Sequence, residues 1–432
     1  AHHADVGGIS PGSMPAPRRP DGTVRPLTLD DEGFVIEPAI LTESLRRDFA
    51  SASRTPDERY GDLRAQEAAN HVGVERLQEL AESLRSIESL NGAVVDYGER
   101  RMKAVLRGLP DGTYEFEDWL EDDGCGNGPI ALRLRMTISG ESAQFDFRDS
   151  DPQCTGPMNA VRAIALSAVF YAMRCLGGPS LPSNGGIMRP LKVLTQPGTI
   201  VDSLPPAAVS AGNVETSQRL VDVVFGALAQ AAPDRIPAAS GGTMNNVLFG
   251  GFDDHGSPFV HYETLASGSG GGPAGPGASA IQCHMTNTLN TPVEDLEQSF
   301  PVQIERYAVR QCDETAQPET HAGGAGIVRA YRFLEPAEVT VMSERRVMGP
   351  YGLGGAPEGA TGKNSLVRAD GSAEIDLGAK NTVRVRPGDV LTVETPGGGC
   401  WKIDRRSRKI DKIEDRSGSH LIGAESKLTS AS

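Results

Sequence analysis

Aromatic residues make up only 5% of this 432-residue chain, and positive charge is scarce. It has 42 Lys and Arg against 57 Asp and Glu, a net charge of −15. That deficit argues against nucleic acid or an anionic membrane as the main partner, although it excludes only large polyanions and not a small anionic ligand. No apolar run approaches a membrane span and no secretory segment opens the chain, so a cytoplasmic protein is expected. The six cysteines, at 125, 154, 175, 283, 312 and 400, include no Cys-x-x-Cys pair. A zinc ribbon and a disulfide scaffold are therefore not indicated, and buried reduced thiols are the simpler reading. Also missing are a Walker loop, a dinucleotide fingerprint, a His-Glu-x-x-His helix, a nucleophile elbow and any solenoid-type repeat. There is no initiator methionine: the chain opens Ala1-His2-His3, which reads as the middle of something longer.

What the chain has in excess is glycine, 51 residues, with 30 prolines. With 38% hydrophobic and 23% charged residues, the composition is that of a loop-rich globular protein rather than of low-complexity disorder. The length allows two or three domains. Residues 1–40 are turn-rich. Apolar residues at three- and four-residue steps predict helix from about Asp57 to Gly108, with a second helix over Asp96 to Arg107. Alternation over 130–138 and 144–148 predicts strands. Met158 to Leu176 reads as a buried helix, and Asn213 to Ala232 as a helix capped by Asn213. Short strands separated by glycine clusters dominate from 234 to 395, and 402–432 is charged and aperiodic. The expected fold is mixed α and β (α+β), with helices in the N-terminal half and a β-rich, glycine-looped C-terminal half. The expected units are 1–140, 141–400 and a tail, 401–432.

Several segments carry side chains suited to chemistry. His2, His3 and Asp5 share one loop, and Glu121-Asp122-Asp123 closes an acidic run; both are residue types that hold a divalent cation. Asp146, flanked by Phe145 and Phe147 at a strand end, is a candidate functional carboxylate. Ala211-Gly-Asn213-Val-Glu-Thr-Ser217 leads into a helix whose N-terminus favours an anion, although a simple cap explains it as well. Gly241-Gly-Thr-Met-Asn245-Asn246 and the six glycines from Gly268 to Gly277 read as a backbone cradle at least as readily as a linker. His284, in Cys283-His-Met-Thr-Asn287-Thr, is a candidate general acid or base, because histidine titrates near neutral pH.

Taken together, these segments resemble the hydantoinase B family, which includes the C-terminal half of ATP-dependent 5-oxoprolinases. The resemblance rests on His2-His-Ala-Asp-Val-Gly-Gly-Ile, Pro11-Gly-Ser-Met-Pro, Gly61-Asp-Leu-Arg-Ala-Gln-Glu, Phe145-Asp-Phe and Gly156-Pro-Met-Asn-Ala. It continues through Ala211-Gly-Asn-Val-Glu-Thr-Ser-Gln-Arg, His284-Met-Thr-Asn-Thr, Ser343-Glu-Arg-Arg, Pro350-Tyr-Gly-Leu-Gly-Gly and Thr395-Pro-Gly-Gly-Gly, in consistent order from Ala1 to about Trp401. Family members usually carry roughly a hundred residues before this loop, the size of one small domain. That part includes a His-x-x-Asp segment which, in related carboxylases, joins a histidine matching His2 at a metal. Here Cys400-Trp401 replaces the family's usual Gly-Tyr-Gly.

The resemblance implies ATP-dependent opening of a cyclic amide, 5-oxoproline or a hydantoin. A hydantoinase A-like nucleotide-binding partner would supply ATP and Mg and phosphorylate the lactam oxygen. This chain would hold the lactam and activate water, in a hetero-oligomer or dimer. The implied roles are general base for Asp5 or Asp146, acid–base chemistry for His284, and substrate contacts for Asn159, Asn213, Ser217, Asn245 and Asn287. Metal ligation would fall to His2, His3, Asp5 and Asp123, at a site incomplete in this chain. The competing expectations are an acetone or acetophenone carboxylase-type subunit and a non-catalytic remnant.

Overall fold

In the computed structural model, which describes residues 4–83, 87–311 and 320–402, the chain opens irregularly, as its prolines and glycines require. A 3₁₀ turn over Pro11–Ser13 and a short α1 (Leu29–Glu32) are followed by α2 (Glu43–Ser51), which sequence periodicity did not bring out. Thr42 caps α2, its hydroxyl accepting the Leu45 N–H. The long α3 (Pro56–Ser83) buries none of its residues, and the Arg46–Glu67 ion pair at 2.9 Å ties it to α2. The next helix, α4 (Ile87–Arg107), begins nine residues before the expected Asp96 and runs through Asn91-Gly92 without a break. Its second half is anchored by Gly98, Met102 and Leu106.

The first sheet runs in the order β1-β2-β3-β4, from β1 (Gly112–Leu120), β2 (Ile130–Ser139), β3 (Ser142–Asp146) and β4 (Leu191–Leu194). Its first three strands are antiparallel, and β4 joins β3 in parallel. Strict alternation sends Leu132, Leu134, Met136 and Phe145 to one face, as a period of two demands. That face is covered by α5 (Arg162–Gly177) and α6 (Ser217–Ala231), which share its apolar core through Ala168, Val169, Val221 and Val224.

Downstream come β5 (Asn246–Phe252), β6 (Pro258–Thr264), α7 (Val293–Ser299), β7 (Val302–Val309), β8 (Thr320–His321), β9 (Ile327–Phe333) and β10 (Ala337–Met342). They are followed by β11 (Lys363–Val367), β12 (Ile375–Asp376), β13 (Lys380–Val385), β14 (Val390–Glu394) and β15 (Trp401–Lys402). Two antiparallel sheets result, β13-β10-β5-β6 and β12-β11-β14-β9-β7, with β8 and β15 paired separately. The odd residues of β5, Val247 and Phe249, enter a second core with Tyr331, Phe333, Leu391 and Val393 of the five-stranded sheet. Its even residues face the other way. There Leu248 meets Gly12, Gly250 meets Pro11, and Asn246 donates to Glu215 at 2.7 Å. One strand thus serves as core on one side and as a polar floor on the other.

The glycine clusters are ordered. Residues 268–277, 322–326 and 396–400 lie backbone against backbone, bonded through Gly268 N to Pro396 O, Gly324 N to Ser269 O and Gly398 N to Gly324 O. A Cβ on Gly268 would sit 1.8 Å from the Gly324 carbonyl oxygen. The expected cradle is therefore a closely layered part of the fold, and a flexible linker is not what these residues form. Of the tail expected over 401–432, Trp401 and Lys402 form β15, and the rest lies outside the described residues. No helix among the described residues is long and apolar enough to cross a membrane.

Candidate active site

The polar floor of β5 lies beside the start of α6, and the local structure there is unusual. The N–H groups of Val214, Glu215 and Thr216 all converge on the Ala211 carbonyl, at 3.3, 2.8 and 3.3 Å. They open the helix as a π turn over Gly212–Thr216, a feature frequent at functional sites. Asn213, expected as the cap, lies inside this turn with its side chain exposed. Glu215 is completely buried. It accepts from Met244 N at 3.1 Å and Asn246 Nδ2 at 2.7 Å, and its second oxygen has no partner among the described residues. Burial pushes its carboxyl up to about 8, helped by the nearby Glu344, so at neutral pH it is mostly protonated.

Two turns further along, in α6, Asp222 is fully buried in an apolar run. Its Oδ1 lies 3.5 Å from His284 Nε2, and neither atom has a hydrogen-bond partner. The other imidazole nitrogen of His284 is 3.3 Å from the Tyr171 hydroxyl. His284 adopts φ 53°, a conformation uncommon outside glycine. Gln218 pins the segment by donating to Cys283 O at 3.1 Å and Thr286 Oγ1 at 2.6 Å. The result is a carboxylate–imidazole–phenol line from Asp222 through His284 to Tyr171. Burial raises the Tyr171 phenol further above its ordinary range, so it stays protonated and can donate. Burial likewise pushes the adjacent Cys283 thiol up to about 12, which keeps it a thiol.

Behind this line lies a buried ionic network. Arg345 reaches Asp118 at 2.6 Å and Asp222 at 3.5 Å, and Arg219 reaches Glu344 at 3.4 Å, with Lys380 closing on the same Glu344. The Glu121 carboxylate accepts the main-chain N–H groups of Arg346, Val347 and Met348 at 2.7 to 2.9 Å. Asp118 comes from the end of β1 and Glu121 directly follows it, Arg219 and Asp222 come from α6, and Glu344 and Arg345 from the loop after β10. The network therefore joins the helix-covered sheet to the β sandwich. Burial works against the charge on Arg345, but Asp118 and Asp222 outweigh it and the guanidinium is held charged.

The residues singled out from sequence do not share one site. Asp146 faces away from α6, on the open side of the first sheet, chelated by Arg148 at 2.6 and 2.9 Å. It lines a cleft of about 350 Å³ with Glu115, Arg133 and Arg135. Arg148 holds its carboxyl below the usual range, which suits a salt bridge better than a base at neutral pH. Because α6 covers the opposite face, the sheet itself separates Asp146 from His284. Asp5 is buried, and both its oxygens are engaged: Gly7 N at 3.1 Å, Gly12 N at 2.9 Å and Arg54 Nη1 at 2.9 Å. A carboxylate so surrounded by donors and a guanidinium does not fit a cation. Asp123 likewise accepts from Cys125 N, Asn127 and Thr155. Burial opposes ionisation there, but these hydrogen bonds prevail and its pKa is lowered.

Asn159, fully buried, clamps the Cys154, Gly156 and Ala208 carbonyls. The Ser217 hydroxyl donates to the Asn213 carbonyl. Asn245, at φ 49°, accepts from Arg346 at 3.0 Å, and Asn287 is exposed beside His284. His2 and His3 lie outside the described residues, and no group of three His, Cys, Asp or Glu among the described residues could hold a metal ion. Glu215, Asp222 and Tyr171 were not singled out from sequence. The available signal for Asp222 was an ionisable residue inside the apolar run Leu220 to Leu228.

Residues 1–402 match the family model described as hydantoinase B/oxoprolinase. The chain belongs to that family. It is 35% identical over 425 residues to 5-oxoprolinase 1 of Arabidopsis thaliana, an alignment covering 92% of this chain and 32% of that protein. The family member described here thus spans about a third of that relative's length. Its fold matches the crystal structure of the ATP-dependent caprolactamase of Pseudomonas jessenii at a TM-score of 0.81 and 25% identity, covering 92% of this chain and 70% of that one. An acetone carboxylase structure matches at 0.77 and 16% identity, over 93% and 60% of the two chains; this likeness concerns the fold alone.

Proposed function

We propose that this chain is the ring-opening part of an ATP-dependent cyclic amide hydrolase, acting on 5-oxoproline or a hydantoin after a hydantoinase A-like nucleotide-binding unit has phosphorylated the lactam oxygen. The observation that carries the reading is the Asp222–His284–Tyr171 line, set in a chain of the hydantoinase B/oxoprolinase family. Amide resonance makes a lactam carbonyl a poor electrophile, and O-phosphorylation turns it into an imidate that water can attack. His284 is suited to take the proton from that water by relay through the Tyr171 hydroxyl at its Nδ1, with buried Asp222 stabilising the imidazolium. The Tyr171 hydroxyl is suited to protonate the ring nitrogen as the C–N bond breaks. That cleavage leaves an acyl phosphate, and a second water hydrolyses it to carboxylate and phosphate. Asn213 and Asn287, both exposed, are the candidates for substrate contacts. ATP and Mg chemistry belongs to the nucleotide-binding unit. No step is assigned to a metal held by this chain, because the carboxylates of Asp5 and Asp123 are already filled.

The test combines the chain with its nucleotide-binding unit and measures phosphate release from ATP with and without 5-oxoproline, alongside glutamate formation. Lactam-stimulated phosphate release matched by glutamate is the expected result. Stimulated release with no ring-opened product from 5-oxoproline or hydantoin would overturn the assignment of ring opening to this chain.

A further inference from the structure

Two surface clefts among the described residues handle charge differently. In the cleft on the open face of the first sheet, Arg133 pairs with Glu117 and Asp151, Arg135 with Glu115, and Arg148 with Asp146. Its charges are satisfied internally. A second cleft, about 460 Å³, lies between the ends of β11 and β13, with Pro20 as one wall. It gathers Arg368, Arg384 and Arg386 in a chain of net charge −15.

The floor of this cleft is built on one buried carboxylate. Asp389 accepts from Arg368 Nη1 at 2.7 Å, Ala369 N at 2.9 Å and Arg386 N at 2.9 Å, so it fixes the three segments that meet there. Arg368 also donates to the Arg384 carbonyl at 2.7 Å. Arg384, on β13, and Arg386, just past its end, flank buried Val385 and are both exposed, as side chains two apart on extended backbone share a side. Neither guanidinium makes a hydrogen bond among the described residues. Arg384 has Glu338 no nearer than 3.9 Å, and the Arg386 guanidinium has no partner among the described residues. Two carboxylates stand near them: Asp370, in the cleft wall, accepts from Ser372 N at 2.9 Å, and Asp21 accepts from Thr23.

We propose that this cleft binds a phosphate-type oxyanion, gripped by the guanidinium forks of Arg384 and Arg386 above the floor set by Arg368 and Asp389. A volume of about 460 Å³ lies within the range of small-ligand pockets. A tetrahedral oxyanion has enough oxygens to accept from two forks at once, whereas a monocarboxylate is saturated by one. The ligand is either free phosphate or the terminal phosphate of a nucleotide, since both present the same oxygens.

The test is calorimetric titration of the full chain with inorganic phosphate at low ionic strength. Binding near about 1 mM or tighter is expected, weakened at least tenfold in R384A/R386A. The paired R384K/R386K variant, which keeps the charge but loses the forks, should lie in between. Both side chains are exposed, so unchanged melting should accompany the loss. Acetate should bind far more weakly than phosphate. Competition by ADP would assign the site to a nucleotide phosphate, and its absence would assign it to the free anion. No phosphate binding by the unaltered chain, equal binding by R384A/R386A, or acetate binding as tightly as phosphate would each overturn the proposal.

Discussion

His284 Nε2 stands 3.5 Å from Asp222 Oδ1, and each of these atoms is buried without another partner. Unsatisfied polar atoms in a protein interior cost free energy, so two facing each other mark a position where a small displacement completes a strong bond. The main chain at His284 is itself held at φ 53°. Geometry of this kind persists where surrounding structure over-determines it, and functional sites are the usual place.

His284→Gln tests the line at its centre, because it leaves the Arg345–Asp222 pair intact. Lactam-dependent turnover of the assembled enzyme should fall by about 10²–10⁴-fold, the range of a lost acid–base group, with melting close to that of the unaltered protein. Full turnover in His284→Gln would remove this histidine from the chemistry.

Glu215 should make stability pH-dependent in a direction opposite to most carboxylates. Below about pH 4.5, its ordinary value, the carboxyl is protonated in both the folded and unfolded chains and has no effect. Between that point and about pH 8 the unfolded chain releases the proton while the folded one retains it. Stability is lost across that window and levels off above it, by on the order of 4–5 kcal/mol in total for this group. Glu215→Gln should flatten that slope in urea titrations from pH 5 to 9. An unchanged slope would show that Glu215 is not the proton carrier.

Arg345→Met removes the cation shared by Asp118 and Asp222, leaving both carboxylates buried and undercompensated. A loss of about 3–5 kcal/mol is expected, read as a lower urea midpoint. Lys363→Met, at an exposed pair with Glu374, should change stability by less than about 1 kcal/mol.

Local patterns in the sequence carried the main helices and strands of the first sheet. The apolar run before Gly177 became α5, and alternation around Ile130 became β2, because burial on one face imposes a period visible in the chain. The onset of α4 at Ile87 was hidden, since a helix that buries only its second half shows weak periodicity in its first. The site was less legible. Asp5 and Asp123 looked like ligands by type and spacing, but whether a carboxylate is free depends on donors such as Arg54 and Thr155, many residues away. Asp222 showed only as a charge inside an apolar run, and its partner His284 comes from a distant loop.

The glycine layers make the strongest contrast within one residue type. A Cβ at Gly268 would lie 1.8 Å from the Gly324 carbonyl oxygen and 2.7 Å from Gly398 N. Both neighbours are main chain, so no side chain can swing aside to relieve the overlap. Gly268→Ala should therefore cost about 4 kcal/mol or more, the range reserved for disrupted packing, and leave little folded protein. Gly92 lies in α4, with open space around the same added carbon. There the alanine only removes the helix penalty of glycine, and Gly92→Ala should stabilise by up to about 1 kcal/mol. Thermal melts of the two variants side by side decide the matter. Equal, small effects at both positions would mean that the layers at 268–277, 322–326 and 396–400 are not packed backbone to backbone.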